Sequence, residues 1–303
     1  MRKSMLYFLL GAVAGASFFA GYAFKEIDHT EELVEVKPDK RLQYKWYTPE
    51  LPKTMEFAGE KVPLDRWEVR ERLDRDVLIN YYAHGSMLYI MKLAGRVFPV
   101  IEARLKANGV PDDFKYLCVA ESSLMTPTSA AGATGYWQFM KDTAPRYGLE
   151  ISDEVDERYN LEKSTDAFCT YIKEAYNKFG NWTAAAASFN CGVGGYNRQV
   201  TFQGSSNYYD LALPEETNRY VFRILSFKYL ISNAVKLGYI LQEGDTYRPL
   251  KTRELKVDTS INNLAEWTVA NGSTYKMLKL LNPWLRDRTL TVKPGKSYVI
   301  ALP

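Results

Sequence analysis

The chain has 303 residues, 46% hydrophobic and 25% charged, with a net charge of +3. That balance leaves room for a sizeable core and excludes a disordered or fibrous protein. Lys and Arg are spread along the whole chain rather than gathered into a patch, so nucleic-acid binding gains no support. Cys118, Cys169 and Cys191 have no CxxC spacing and lie apart from the two histidines, His29 and His84. No metal site is expected from them, and the thiols read as small buried residues. The 22 tyrosines and 6 tryptophans serve either a core or the stacking of flat ligands.

Met1-Arg-Lys-Ser4 is basic, and Met5 to Phe24 then runs without a charge. About 20 apolar residues suit a membrane-spanning helix, while Ala14-Gly15-Ala16 and Gly21-Tyr22-Ala23 offer small residues for signal cleavage. The basic residues keep the N-terminus in the cytoplasm, so the rest is expected to be exported and tethered to the inner membrane if the leader stays. No cysteine follows the apolar run, which excludes a lipoprotein anchor. Residues 1–24 are therefore expected as a signal or anchor, and residues 25–64, broken by Pro38, Pro49, Pro52 and Pro63, as a spacer.

From Asp65 the pattern turns helical and is expected to stay so to about residue 245, with no strands before residue 250. Pro99 is expected to open a helix that stops at Asn108-Gly109, and Pro111 to open the next. Phe168, Tyr171, Ile172, Ala175 and Phe179 recur at helical steps before Gly180, Trp182 to Phe189 forms a short helix, and Pro214 starts one reaching about Leu237. After Gly244-Asp245, Leu255 to Val257 and Ser297 to Leu302 read as strands enclosing helices at Ile261 to Ala270 and Tyr275 to Leu281. The expected fold is mainly α, an all-helical body over 65–245 followed by a small βααβ module over 250–303.

Phe114, Leu117, Cys118 and Glu121 fall at i, i+3, i+4 and i+7, which places an acid on a core-facing stripe. Its position near the helix C-terminus and its apolar surroundings both raise its pKa, as a general acid requires. Pairing with a buried arginine, or plain exposure by fraying of the helix end, is the alternative for such a glutamate. Gly132, Gly135 and the small residues from Ser129 to Thr134 let backbone approach a ligand, and Trp137-Gln-Phe-Met140 sets one amide among apolar groups. Asp153, Glu154, Asp156 and Glu157 form a charge run that reads as a solvated loop.

Glu121-Ser, then Ser129-Ala-Ala-Gly-Ala-Thr-Gly135, then Trp137-Gln-Phe-Met140 resembles the signature of the soluble lytic transglycosylase domain, whose fold is that of goose-type lysozyme. Ala185-Ala-Ala-Ser-Phe-Asn-Cys-Gly192 and Leu213-Pro-Glu-Glu-Thr-Asn-Arg-Tyr-Val221 are similar to the second and third motifs of that family. The last fifty residues resemble a degenerate LysM repeat, a glycan-binding module, in which the usual glycine turn is replaced by Val257-Asp-Thr-Ser260. The resemblance implies a cell-envelope enzyme whose partner is the peptidoglycan glycan strand. It would cleave the β-1,4 bond between N-acetylmuramic acid and N-acetylglucosamine without water and without a metal or organic cofactor. It implies Glu121 as the single acid and base, with Ser129, Gln138, Met140, Asn190, Glu216 and Tyr220 lining the substrate. Phe189 departs from the family's tyrosine, so the resemblance leaves Tyr196 or Tyr220 to supply a hydroxyl. A hydrolase of the same fold and a catalytically silent wall-binding scaffold are the other two readings.

Overall fold

Why the helical signals in the sequence become one body is clearest from where the apolar stripes meet. The computed structural model describes residues 47–303; the membrane-targeting segment expected at 1–24 and most of the expected spacer lie outside the described residues. Among the described residues no helix is long and apolar enough to cross a membrane. The elements are β1 (Glu56–Phe57), β2 (Glu60–Lys61), α1 (Trp67–Tyr82), α2 (His84–Ala107), α3 (Lys115–Ser122), α4 (Leu161–Phe179), α5 (Trp182–Cys191), α6 (Val193–Gln203), α7 (Glu215–Ser232), β3 (Arg253–Val257), α8 (Leu264–Ala270), α9 (Tyr275–Leu281) and β4 (Tyr298–Leu302). The fold is mainly α, as the sequence predicts.

In α2 the buried residues Met87, Ile90, Met91, Ala94, Val97, Phe98, Ile101 and Leu105 form one continuous stripe. That stripe runs through Pro99, so the proline lies inside a 24-residue helix and does not begin one, contrary to the sequence reading. A proline there removes one backbone hydrogen bond, a loss that burial on both sides of it outweighs. Asn160 caps α4 by accepting from the Lys163 amide at 3.0 Å, and Gly180, with φ of 75°, ends it in the left-handed conformation. Asn181 caps α5, whose Ala184 to Ala187 are fully buried and bring it close against α4 and α7. Helix α7 stops at Ser232 rather than near Leu237, and the turn that follows buries Tyr239.

Three further expectations need correction. The spacer was placed up to residue 64, yet Met55, Phe57, Val62 and Leu64 belong to the main core, and β1 and β2 pair as a short hairpin before residue 250. Glu60 of that hairpin accepts from the Thr183 amide at 2.9 Å and from the Trp182 amide, so it caps the N-terminus of α5. The charge run is not a solvated loop: Asp156 and Glu157 are buried, with Arg158 between Asp156 and the loop after α3. Cys191 is only partly buried, unlike Cys118 and Cys169.

Strands β3 and β4 pair antiparallel, Val257 opposite Tyr298 and Arg253 opposite Leu302; α9 packs on β4 and α8 packs on α9. Their core joins Leu264, Leu278, Leu285, Leu290, Ile300 and Leu302 to Val155 from the body. The intervening segment folds back on α2, where the Tyr247 amide donates to the Lys92 carbonyl at 2.9 Å and Asp245 pairs with Lys92 at 3.4 Å. Residues 48–303 form one compact unit.

Candidate active site

Helix α3 follows a single 3-10 turn at Asp112–Phe114 and lasts eight residues. Phe114, Leu117 and Cys118 are fully buried, and Glu121, one turn further on the same stripe, is only partly exposed. Immediately after it the chain reverses through Ser123 at φ 54° and Leu124 at φ 61°. The left-handed region costs a bulky residue about 1–3 kcal/mol, and burial of the Leu124 side chain holds it there. This reversal begins the loop of residues 125–140, which returns to α3 where Cys118 Sγ donates to the Tyr136 carbonyl at 3.4 Å.

Helix α7 faces the same carboxyl. Glu216, Tyr220 and Arg223 fall at i, i+4 and i+7, one side of that helix. The Tyr220 hydroxyl donates to Glu121 Oε1. Burial raises the Glu121 carboxyl from its ordinary 4.5 to about 7; the Tyr220 hydrogen bond and the Arg223 charge oppose the rise, and the Glu216 charge adds to it. Burial, then the neighbouring Glu121, holds the Tyr220 hydroxyl well above the ordinary tyrosine range, so it stays a donor. Asn190, at the end of α5, donates to Glu216 Oε1 at 3.3 Å and accepts from Thr217 Oγ1 at 2.8 Å. Glu121, Tyr220, Glu216 and Asn190 are thus brought together, each in contact with the next or acting on it.

The loop residues play two roles. Met140 is 43% exposed and Ser129 is exposed, so both present side-chain surface. Ser129 Oγ also accepts from the Ala133 amide at 3.1 Å, closing the tight turn around Gly132. Gln138, at φ 51°, donates through Nε2 to the carbonyls of Pro127 at 2.9 Å and Gly135 at 2.8 Å, so half of its amide ties the loop together. Gly135 has φ of 85°, and a Cβ on it would lie 2.0 Å from the Arg158 carbonyl oxygen; only glycine fits. Trp137 anchors the loop from below, fully buried, stacked on Phe168 at 3.8 Å and donating to Thr165 Oγ1 at 3.0 Å.

Phe189 packs edge-on against Phe139, Phe168 and Tyr171, with ring centroids 5.8, 5.1 and 5.0 Å away. Of the two tyrosines considered for the missing hydroxyl, Tyr220 reaches Glu121. Tyr196 instead is fully buried against Phe179 and donates to the Ser206 carbonyl at 3.1 Å.

Two features escaped the sequence reading. Arg223 lies three residues past Tyr220 and seven past Glu216, a spacing that could have found it. The Arg158–Asp156 pair, at 2.7 Å, had no local signal, because charged residues in a loop ordinarily stay in water. Chemically, the site offers one carboxylic acid that is part protonated near neutral pH, a fixed hydroxyl donor on it, and a second carboxylate held by an asparagine. Such a group can give a proton to a leaving oxygen and take one back.

Residues 98–211 match the family model described as the transglycosylase SLT domain, and residues 253–303 match that of the soluble lytic transglycosylase C-terminal LysM-like domain. The chain is 26% identical over 257 residues to "Membrane-bound lytic murein transglycosylase D" of Escherichia coli strain K12, covering 80% of this chain and 54% of that protein. The protein of the same name from Escherichia coli O6:H1 strain CFT073 matches to the same extent. The chain spans about half the length of the curated relatives it matches.

Proposed function

We propose that a chain with an SLT transglycosylase domain followed by a LysM-like domain is an exported lytic transglycosylase of the bacterial envelope, cleaving peptidoglycan glycan strands. The observation that carries this reading is Glu121, a single carboxyl raised to about 7 with a tyrosine hydroxyl fixed on it. Glu121 in its protonated form donates to the glycosidic oxygen between N-acetylmuramic acid and N-acetylglucosamine, and the bond from the muramoyl anomeric carbon to that oxygen breaks. The acetamido oxygen of the same sugar stabilises the anomeric carbon, in place of the protein nucleophile that most retaining glycosidases use. Glu121, now ionised, takes the proton of the C6 hydroxyl, whose oxygen closes onto the anomeric carbon as a 1,6-anhydro ring. The proton given is regained and no water is consumed. Ser129, Gln138, Met140 and Asn190 line the sugar, and Tyr220 orients the acid. Residues 1–24 direct export and either tether the protein to the inner membrane or are removed.

Glu216 favours a second reading, hydrolysis. Its charge acts on Glu121, and two facing carboxyl groups are what an enzyme that activates water employs. The Asn190 hydrogen bond to Glu216 supports the first reading, because it occupies an oxygen that a general base would turn to water. Replacing each acid separates them. Glu121→Gln should lower release of soluble muropeptides from sacculi by about 10²- to 10⁴-fold. A comparable loss in Glu216→Gln, with products ending in reducing sugars, would favour hydrolysis; unchanged release from Glu121→Gln would exclude both.

A further inference from the structure

The segment 150–159, between the loop of residues 125–140 and α4, has two sides. Toward the active site, Arg158 Nη1 donates to the carbonyls of Gly132 at 3.2 Å and Phe139 at 3.0 Å, while its backbone carbonyl packs on Gly135. Tyr159 adds a hydroxyl contact to Thr128 at 3.2 Å. The guanidinium is held in turn by Asp156, through Nε at 2.9 Å and Nη2 at 2.7 Å, both residues being buried.

Toward the C-terminal module the same segment is tied by every kind of contact. Val155 is 1% exposed and sits in the module's own core. The Asp156 amide donates to the Trp284 carbonyl at 2.9 Å, and the Arg286 amide to the Glu154 carbonyl at 2.7 Å. The Glu154 carboxylate accepts from the Thr291 amide at 2.8 Å and from the Thr289 hydroxyl. Glu150 pairs with Lys296 and accepts from the Tyr298 hydroxyl at 3.1 Å, and the Arg286 guanidinium lies 4.1 Å from the centre of the Tyr159 ring. Asp156 therefore holds the module with its backbone and Arg158 with its side chain.

We infer that the C-terminal module is an internal brace: it fixes segment 150–159, and through Asp156 and Arg158 that segment holds the loop of residues 128–139 in place against α3, the helix that carries Glu121. Val155, Asp156 and Arg158 are positioning residues. The module contributes to the chemical step itself and not only to any hold on a polymer. Two carbonyls seven residues apart in the loop, of Gly132 and Phe139, converge on one guanidinium nitrogen, an arrangement that a displaced Asp156 releases, and a loop shifted by an ångström costs rate out of proportion to its contacts.

The inference rests on the proposed activity for one of its readouts and not for the other. Full-length Val155→Asp puts a charge into the module core, and the paired exchange Glu150→Lys with Lys296→Glu tests the same contact at the surface. On a short tetrasaccharide substrate, Val155→Asp should lower kcat about tenfold or more with little change in KM, whereas the conservative Val155→Ile should keep the parent kcat. By hydrogen exchange, amides of residues 128–139 should exchange faster in Val155→Asp than in the parent. Glu150→Lys and Lys296→Glu should each do the same more weakly, and the double exchange should return toward the parent. Val299→Asp, at an exposed position on β4, should change neither quantity. Parent-like kcat and parent-like exchange in Val155→Asp would overturn the brace. If that variant does not fold, parent-like exchange in the single Glu150 and Lys296 variants does so. A parent that cleaves no glycan counts against the proposed activity, while the exchange readout still decides the brace.

Discussion

Three groups on α7 act on Glu121, two favouring its charged form and one opposing it, and burial outweighs the favourable pair, so the carboxyl lies at about 7 instead of 4.5. Two predictions follow from the signs. The free enzyme must hold the proton to act as an acid, so kcat/KM should fall as pH rises through about 7; removing the Tyr220 donor, which favours the carboxylate, should move that fall to higher pH. A pH profile of Tyr220→Phe shifted downward instead would mean the hydroxyl does not serve the ionised acid. The same displacement affects stability. Below about pH 4.5 the carboxyl is protonated in both states; as pH rises toward about 7 only the unfolded chain ionises, and the fold loses up to about 3 kcal/mol, a deficit that persists above. Glu121→Gln should therefore gain thermal stability over the parent at pH 8 and much less at pH 5, as melting curves at the two pH values would show. Glu121 was legible in the sequence because helical spacing alone puts it on the Phe114–Leu117–Cys118 stripe. Asp156 and Arg158 were not, since what buries them lies far off in the chain, at Gly132, Phe139 and Trp284.

The loop after α3 depends on glycine at two positions for different reasons, and the contrast is testable. Gly132 has φ of 86° with open space where a Cβ would go, whereas Gly135 at φ 85° has the Arg158 carbonyl in that space. Gly132→Ala should cost about 1 kcal/mol of strain; Gly135→Ala should add a backbone clash, destabilise by several kcal/mol, and reduce activity more than the melting temperature alone explains. Equal effects of the two substitutions would show that the close approach at Gly135 is not needed. Most helices were legible from period and stop signals, as in α4 from its apolar steps and Gly180, while its Asn160 cap was not. The failures were at Pro99, where a continuing apolar stripe overrides a local breaker, and at residues 55–64, where Pro63, with Pro38, Pro49 and Pro52 before it, suggests a spacer although Phe57 and Val62 are core residues. Period-based reading cannot detect a two-residue strand pair that is held by contacts distant in sequence, among them Glu60 capping α5 and Phe57 packing on Phe114 at 5.2 Å.

At the scale of the two domains, the module's core takes in Val155 from the body, so the βααβ module is joined to the body by more than the segment that connects them in sequence. The division into a helical body and a small module was visible from the change of period after Gly244-Asp245; its docking was not, because the docking residues read as a solvated charge run. Phe189 fits this larger packing. Its ring sits among Phe139, Phe168 and Tyr171 while the hydroxyl on Glu121 comes from Tyr220, so Phe189→Tyr should leave the rate within about threefold of the parent in a sacculus-digestion assay. A large gain would show that Tyr220 does not replace the absent hydroxyl. The central claim is that Glu121 regains its proton from the substrate's own C6 hydroxyl and not from water. Purified sacculi digested by the parent in water enriched in heavy oxygen, with the new muramoyl ends identified by mass spectrometry, test it most directly. The account predicts 1,6-anhydro ends free of the label, absent from Glu121→Gln digests; reducing ends carrying the label would contradict it.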